Sequence, residues 1–195
     1  MEYLNIVKNN FINTSKIELK LLENYKNAIV ETSFLIANRI KGGGGVYFMG
    51  NGGSAADSLH LSAELMGRFY INRSPIKSMA LNTNPSLLTE IPNDFTYEEL
   101  FERQIEALLN EKDVIFGIST SGNSKNIVRG LMKAKEKKTF TIGLTGNTGG
   151  KMEEHCDVCF KVPSTVIPRI QESHIILGHT ICEIVENILF GKNNR

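Results

Sequence analysis

The sequence predicts an α/β protein, a three-layer doubly wound parallel sheet of about five strands, flavodoxin-like in its winding, with an N-terminal helical hairpin added. Three observations carry that reading. Short β-rich runs alternate with longer segments of helical periodicity. The runs are apolar on both faces, as strands covered by helices on both sides must be. No linker, repeat or low-complexity tract divides the 195 residues, so one domain over 1–195 is expected, with helices in 1–41 and the α/β core in 45–195.

Residues 2 to 41 place Leu4, Val7, Phe11, Ile17, Leu21, Ile29, Ile36 and Ile40 at helical rather than strand spacing, which predicts two helices. They end at Gly42-Gly43-Gly44-Gly45, where glycine can take the left-handed conformation that releases the chain from a helix. The apolar stripe of this hairpin either bundles with copies of itself or covers its own sheet, and the pattern leaves both open. Strands are predicted at VYFMG (46–50), IKSMAL (76–81), DVIFGIS (113–119), TFTIGLT (139–145) and DVCFKV (157–162). The segments 54–70, 98–110, 124–137 and 168–190 are long enough for crossover helices.

Composition removes several functional classes. The 22 Lys and Arg against 21 Asp and Glu leave a net charge of +1, so no overall field draws in nucleic acid or an anionic membrane. The first residues hold no continuous apolar core of a signal peptide, and nothing approaches the ~20 apolar residues of a membrane span. A cytoplasmic protein is expected. Three cysteines argue against a disulfide framework. Cys156 and Cys159 form a C-x-x-C after His155, but a zinc knuckle needs a second ligand pair, and a redox motif opens a helix where CDVCFKV reads as a strand. They are read as two small core or surface thiols.

In open α/β sheets ligands collect beyond the carboxyl ends of the strands. Three loops there are unusual. Gly50-Asn51-Gly52-Gly53-Ser54 allows close backbone approach, with Ser54 as helix N-cap and Asp57 three residues on. It lacks the lysine of a P-loop and the spacing of a dinucleotide fingerprint, and reads as a cradle for a sugar or an anion. Ser119-Thr120-Ser121-Gly122-Asn123-Ser124 concentrates four hydroxyls where Lys125-Asn126-Ile127-Val128 starts a helix. Free helix N–H groups and hydroxyls together stabilise a phosphate dianion without a metal or a P-loop lysine. Thr145-Gly146-Asn147-Thr148-Gly149-Gly150 reads mainly as a turn.

His60 and Glu64 stand four residues apart on the helix launched by Ser54, hence on one face, with Cβ atoms ~6 Å apart, which suits a shared metal or a proton relay. Gln171, His174 and His179 lie on the last long helix. Gln171 and His179 are eight positions apart, on a similar face but ~12 Å along the axis, so one metal reaches both only if the side chains lean together or one comes from a neighbouring subunit. His174, among Ile175, Ile176 and Leu177, reads as structural. His60, Glu64, Gln171 and His179 offer two nitrogens and two oxygens, a set compatible with zinc or a similar divalent ion.

The runs Gly50 to Asp57 with His60 and Glu64, Ile118 to Ser124, and Arg169-Ile170-Gln171-Glu172 with His179 together resemble the phosphoheptose isomerases of the sugar isomerase superfamily, over essentially the whole chain and in the family's order. That resemblance implies interconversion of sedoheptulose 7-phosphate and D-glycero-D-manno-heptose 7-phosphate, for lipopolysaccharide or capsule. It implies a homotetramer with active sites at subunit interfaces, and one zinc per subunit. By the same resemblance Ser119, Thr120, Ser121 and Ser124 hold the phosphate. Asn51, Gly52, Gly53, Ser54, Asn93, Asp94 and Gln171 line the sugar. His60, Glu64, Gln171 and His179 match the zinc ligands, with Glu64 and His179 the acid–base pair. Aldose–ketose exchange through an enediol needs a base between C1 and C2 and proton transfer at the two oxygens, roles that suit Glu64 and His179 respectively.

One alternative is a non-catalytic relative in the same superfamily that associates with a replication initiator. The stretch from Leu81-Asn82-Thr83-Asn84 to Asn93-Asp94 is somewhat similar to it, but that relative lacks the groups carried here by Glu64 and His179. Isomerases for pentose or hexose phosphates usually carry appended domains, absent in so short a chain. No DNA-reading element of a sugar-phosphate-sensing regulator is visible.

Overall fold

The structure is a computed structural model that describes residues 2–191. The N-terminal segment differs from the expectation of a hairpin. Glu2–Lys41 is one continuous 40-residue helix, α1, about 60 Å long. No Gly or Pro interrupts residues 2–41. The polar residues midway, which could have capped a second helix, turn back instead: the hydroxyls of Thr14 and Ser15 donate to the carbonyls of Asn10 and Phe11 one turn earlier. The C-terminal half of α1 buries Ile29 and Ile36 on the sheet, while Leu4, Val7 and Phe11 stand exposed.

The five strands are β1 (Val46–Gly50), β2 (Ser78–Ala80), β3 (Val114–Ser119), β4 (Phe140–Thr145) and β5 (Val158–Lys161), all parallel in the order β2-β1-β3-β4-β5. This is the flavodoxin-like winding the alternation implied. Period-2 alternation splits the strand side chains between two cores. Val46, Phe48, Val114, Phe116, Ile142 and Leu144 face α1, α2 (Gly53–Met66) and α6 (Ile167–Phe190). Tyr47, Met49 and Ile115 face α3 (Pro85–Asp94), α4 (Leu100–Leu108) and α5 (Lys125–Glu136). Phe48 and Phe116, neighbours in register, stack at 4.9 Å between ring centres.

Helix α3 lies outside the segments that periodicity picked out. Its local signal is Asn84-Pro85: the Asn84 side chain accepts from the N–H groups of Ser86 and Leu87, and Pro85 needs no N–H partner at the first position. Pro92 inside so short a helix masks the pattern.

One buried ion pair organises the stretch after α2. Arg73 and Glu186 meet at 2.8 Å with both side chains out of solvent, and Glu186 also accepts from the N–H groups of Phe69, Tyr70 and Ile71. Burial works against the Glu186 charge, but those donors and the guanidinium outweigh it and hold the carboxylate below its usual range. A buried pair with every partner supplied tolerates loss of neither member.

His174 is structural, as read from its neighbours. It is completely buried in α6 and, among the described residues, neither ring nitrogen makes a hydrogen bond of ordinary length. Desolvation pushes its pKa down to about 4, offset only weakly by the nearby Thr145 backbone. Since the unfolded imidazole titrates near 6.5, the unfolded chain takes up this proton first. Stability present at neutral pH should therefore decline as pH falls from about 6.5 to about 4, by up to ~3 kcal/mol from this group. Thermal unfolding across that range should show the decline, and His174→Leu should flatten it.

Candidate active site

The site is built at the carboxyl ends of β1 and β3, where the two loops singled out in the sequence lie side by side. The first loop enters α2 through Gly52, whose φ of +57° is left-handed and favours glycine. The helix therefore begins at Gly53, with Gly52 and not Ser54 in the capping position. Ser54 is buried in the first turn, and Asp57 forms no capping box. Its carboxyl is half-buried, its Oδ2 has no partner among the described residues, and burial, tempered by His60, raises its pKa.

Reciprocal amide bonds hold this loop in place. Asn82 donates to the Gly50 carbonyl at 2.9 Å and accepts from its N–H. Asn51 and the buried Asn126 exchange bonds of 2.9 Å, and the Tyr97 hydroxyl donates to Asn51 at the same length. Asn51 is thus tied to the first turn of α5 directly behind the second loop. Asn82, Tyr97 and Asn126 escaped the sequence reading because each sits in a stretch without unusual composition, and only the fold sets them against Gly50 and Asn51. Asn93 and Asp94 end α3, exposed, with the Asn93 amide donating to Asp94 at 2.8 Å.

In the second loop the hydroxyls of Ser119 and Ser124 are 3.1 Å apart and those of Ser119 and Ser121 3.5 Å. Thr120 is half-buried beside them. Ser124 occupies the N-cap of α5 but its side chain makes no capping bond, so hydroxyl and helix N-terminus both remain for an anion. Lys125, the first residue of α5, is paired with Glu98 at 2.7 Å, a bond that keeps its ammonium charged.

The third loop does more than turn the chain. It braces the second: Gly146 N–H donates to Thr120, Met152 N–H to Gly122 at 2.9 Å, and Lys151 N–H to the Asn123 side chain. Gly122, at φ +66°, lies so near Gly149 that any side chain there would collide with the Gly149 carbonyl.

The ionisable groups come together on the other edge of α2. Helices α2 and α6 pack closely at Gly178, where an added Cβ would stand 2.5 Å from the Leu61 methyls. That approach places His179 Nε2 2.9 Å from His60 Nε2, which is 3.1 Å from Glu64 Oε1. The three ligand atoms lie within 4.8 Å of one another. Phe69 packs its ring 5.5 Å from that of His179. Burial and the neighbouring His60 lower the His179 pKa despite Glu64, so its ring is neutral and available as a donor or proton acceptor over a wider range than usual. Two imidazoles and one carboxylate with a side left open form the donor set of catalytic zinc sites. The residues present fit such an ion.

Gln171 lies on α6 eight residues before His179. Its amide lies against Gly53, where an added Cβ would collide with it, two helical turns from His179. Gln171 therefore borders the glycine loop.

Comparison with known proteins places these features in a family. The model of the SIS domain matches residues 10–146. The chain belongs to the SIS domain family. It is 49% identical over 195 residues to phosphoheptose isomerase 2 of Campylobacter jejuni, covering 98% of this chain and 97% of that one. A solved phosphoheptose isomerase from Francisella tularensis superposes with a TM-score of 0.92 at 28% identity, covering 96% of this chain and all of the other. One from Neisseria gonorrhoeae gives 0.89 at 34%, covering 95% and 99%. The SIS domain frame thus accounts for the sheet and the long N-terminal helix together.

Because Leu61 is completely buried it has no room to swing aside. Gly178→Val should force α2 from α6, costing about 1–3 kcal/mol by overpacking. Thermal unfolding and turnover should both fall, and Gly178→Ala should do so more mildly.

Proposed function

We infer that this protein is a phosphoheptose isomerase that interconverts sedoheptulose 7-phosphate and D-glycero-D-manno-heptose 7-phosphate. The observations carrying the reading are a hydroxyl-rich helix N-terminus tied through Asn126 to the glycine loop that Gln171 borders, and a His–Glu–His cluster on the helix which that glycine loop opens. Near-full-length identity of 49% to a protein of that name supports it.

In this reading Ser119, Thr120, Ser121 and Ser124 grip the phosphate with the first N–H groups of α5. Asn51, Gly52, Gly53, Ser54, Asn93, Asp94 and Gln171 line the sugar, with Ser54 acting through the first turn of α2. Glu64 takes the proton from C1 of the ketose and returns one to C2. His179, once it has taken up a proton, gives it to the C2 oxygen as the enediol forms and takes the C1 hydroxyl proton as the aldehyde is made. His60, Glu64 and His179 would hold a zinc ion, which when bound polarises the sugar's oxygens. Gln171 would join them as a fourth ligand where the side chains lean together or where it is supplied across a subunit interface. A homotetramer formed through the exposed apolar half of α1, with Leu4, Val7 and Phe11, fits that need. Among the described residues no helix is long and apolar enough to cross a membrane. A cytoplasmic enzyme supplying heptose for lipopolysaccharide or capsule is the corresponding setting.

The test is a coupled assay with sedoheptulose 7-phosphate. Glu64→Gln should lower turnover by about 10²–10⁴-fold while circular dichroism stays unchanged. Undiminished turnover removes Glu64 from the chemistry. In the same assay a chelator should abolish most turnover of the unaltered protein, and added zinc should restore it. Full activity in chelator would exclude the zinc requirement.

A further inference from the structure

The C-x-x-C takes no part in the chemistry above, and the fold gives it a setting the sequence did not. The chain leaves a short 3₁₀ turn at Glu153–His155, bends at Asp157 and enters β5. Gly143 of β4 pairs with Cys159. A Cβ on Gly143 would stand 2.6 Å from Cys156 Sγ and 3.1 Å from Cys159 Sγ, so both sulfurs share the hollow left by the absent side chain. Both are half-buried and free, whereas Cys182 is buried within α6.

The dithiol is also wired to the hydroxyl-rich loop. Cys156 Sγ donates to the Met152 carbonyl at 3.1 Å. The Met152 N–H in turn donates to the Gly122 carbonyl, in the loop that lies under the proposed phosphate position. Glu153 and Lys161, at 2.5 Å, bridge the same turn to the same strand. A covalent link between the sulfurs would lie parallel to this ion pair.

We propose that Cys156 and Cys159 are a reversible redox site, closing to a disulfide on exposure to a peroxide and thereby loosening the Met152 brace on the Ser119–Ser124 loop. The reaction balances in two steps. The Cys159 thiolate attacks one peroxide oxygen, breaking the O–O bond to give a sulfenic acid, and the hydroxide released takes a proton to become water. The Cys156 sulfur then attacks the sulfenic sulfur, forming the S–S bond. Its own proton and the sulfenic hydroxyl leave as a second water, so two thiols are oxidised and one peroxide reduced. Roles divide in this direction because hydrogen bonding between the sulfurs holds Cys156 protonated, further favoured by burial, and draws Cys159 below the usual thiol range. Oxidation removes the S–H that bonds the Met152 carbonyl, which is how the change reaches the loop. Cys182, whose thiol burial pushes up to about 12, is the internal control.

The experiment treats the full chain with a small excess of hydrogen peroxide. The intact mass should fall by about 2 units. Alkylation in denaturant should find one reactive thiol where the reduced protein has three, with Cys156 and Cys159 in one cross-linked peptide and full reversal by dithiothreitol. Amide exchange in the peptide over 146–155 should quicken several-fold on oxidation, a readout independent of any sugar phosphate. Cys156→Ser and Cys159→Ser should each abolish the mass loss and the quickening. Three reactive thiols surviving peroxide, a bridge to Cys182, or a disulfide that leaves exchange over 146–155 unchanged would overturn the proposal.

Discussion

The His–Glu–His cluster of this protein depends on how closely two parallel helices approach. α2 and α6 leave the sheet on the same side, and the absence of a side chain at Gly178 lets Leu61 seat against the α6 backbone. That contact falls beside His179 on one helix and His60 on the other. Their nitrogens can meet only because the axes are drawn together at that level. The same alignment sets Gln171 against Gly53 two turns earlier. One packing distance therefore fixes both the ionisable cluster and its separation from the glycine loop.

The loops need a different kind of restraint, since glycine-rich and hydroxyl-rich segments have little apolar surface to bury. Here the restraint is a chain of side-chain to backbone bonds: Asn82 to Gly50, Asn51 to Asn126, Met152 and Lys151 onto the second loop. Each holds a loop by its own polar groups and leaves the serine hydroxyls uncommitted to the helix cap. Behind the cluster, Glu186 does the equivalent by gathering three consecutive N–H groups and Arg73, which fixes Phe69 against His179. Preorganised polar groups of this kind do not have to reorganise when charge develops in a substrate.

The strands and their order were legible because burial on both faces writes continuous apolar runs, and the loops because glycine and serine cluster where ligands collect. The pair His60 and Glu64 was legible from helical spacing together with its place about two turns beyond the glycine loop. What failed did so for local reasons. Two helices were expected in 2–41 from the apolar spacing, but no Gly or Pro breaks the segment, and Thr14 and Ser15 spend their hydroxyls on carbonyls inside α1. Ser54 has the right side chain for an N-cap, yet Gly52 starts the helix earlier because its backbone is left-handed. The bracing role of 145–152 depends on contacts with residues 26 to 30 positions away, which no short window of sequence contains. Gln171 was grouped with His60, Glu64 and His179 as a ligand set from its position on the last helix, and the fold sets its amide against Gly53, a contact that helical spacing does not show.

The cluster's own chemistry constrains its use. Two neutral imidazoles whose Nε2 atoms are 2.9 Å apart cannot both present lone pairs; one must donate an N–H to the other, so the two rings hold opposite tautomers. The Glu64 carboxylate, 3.1 Å from His60, favours the proton on that ring. His179 is then the acceptor, in keeping with a pKa lowered by burial. A cation between the three would substitute for the shared proton and free both nitrogens of it, at the cost of weakening Glu64 as a base. Proton transfer and metal ligation are thus alternative occupations of one small space, and a carboxylate that must do both can be held only by one of its oxygens.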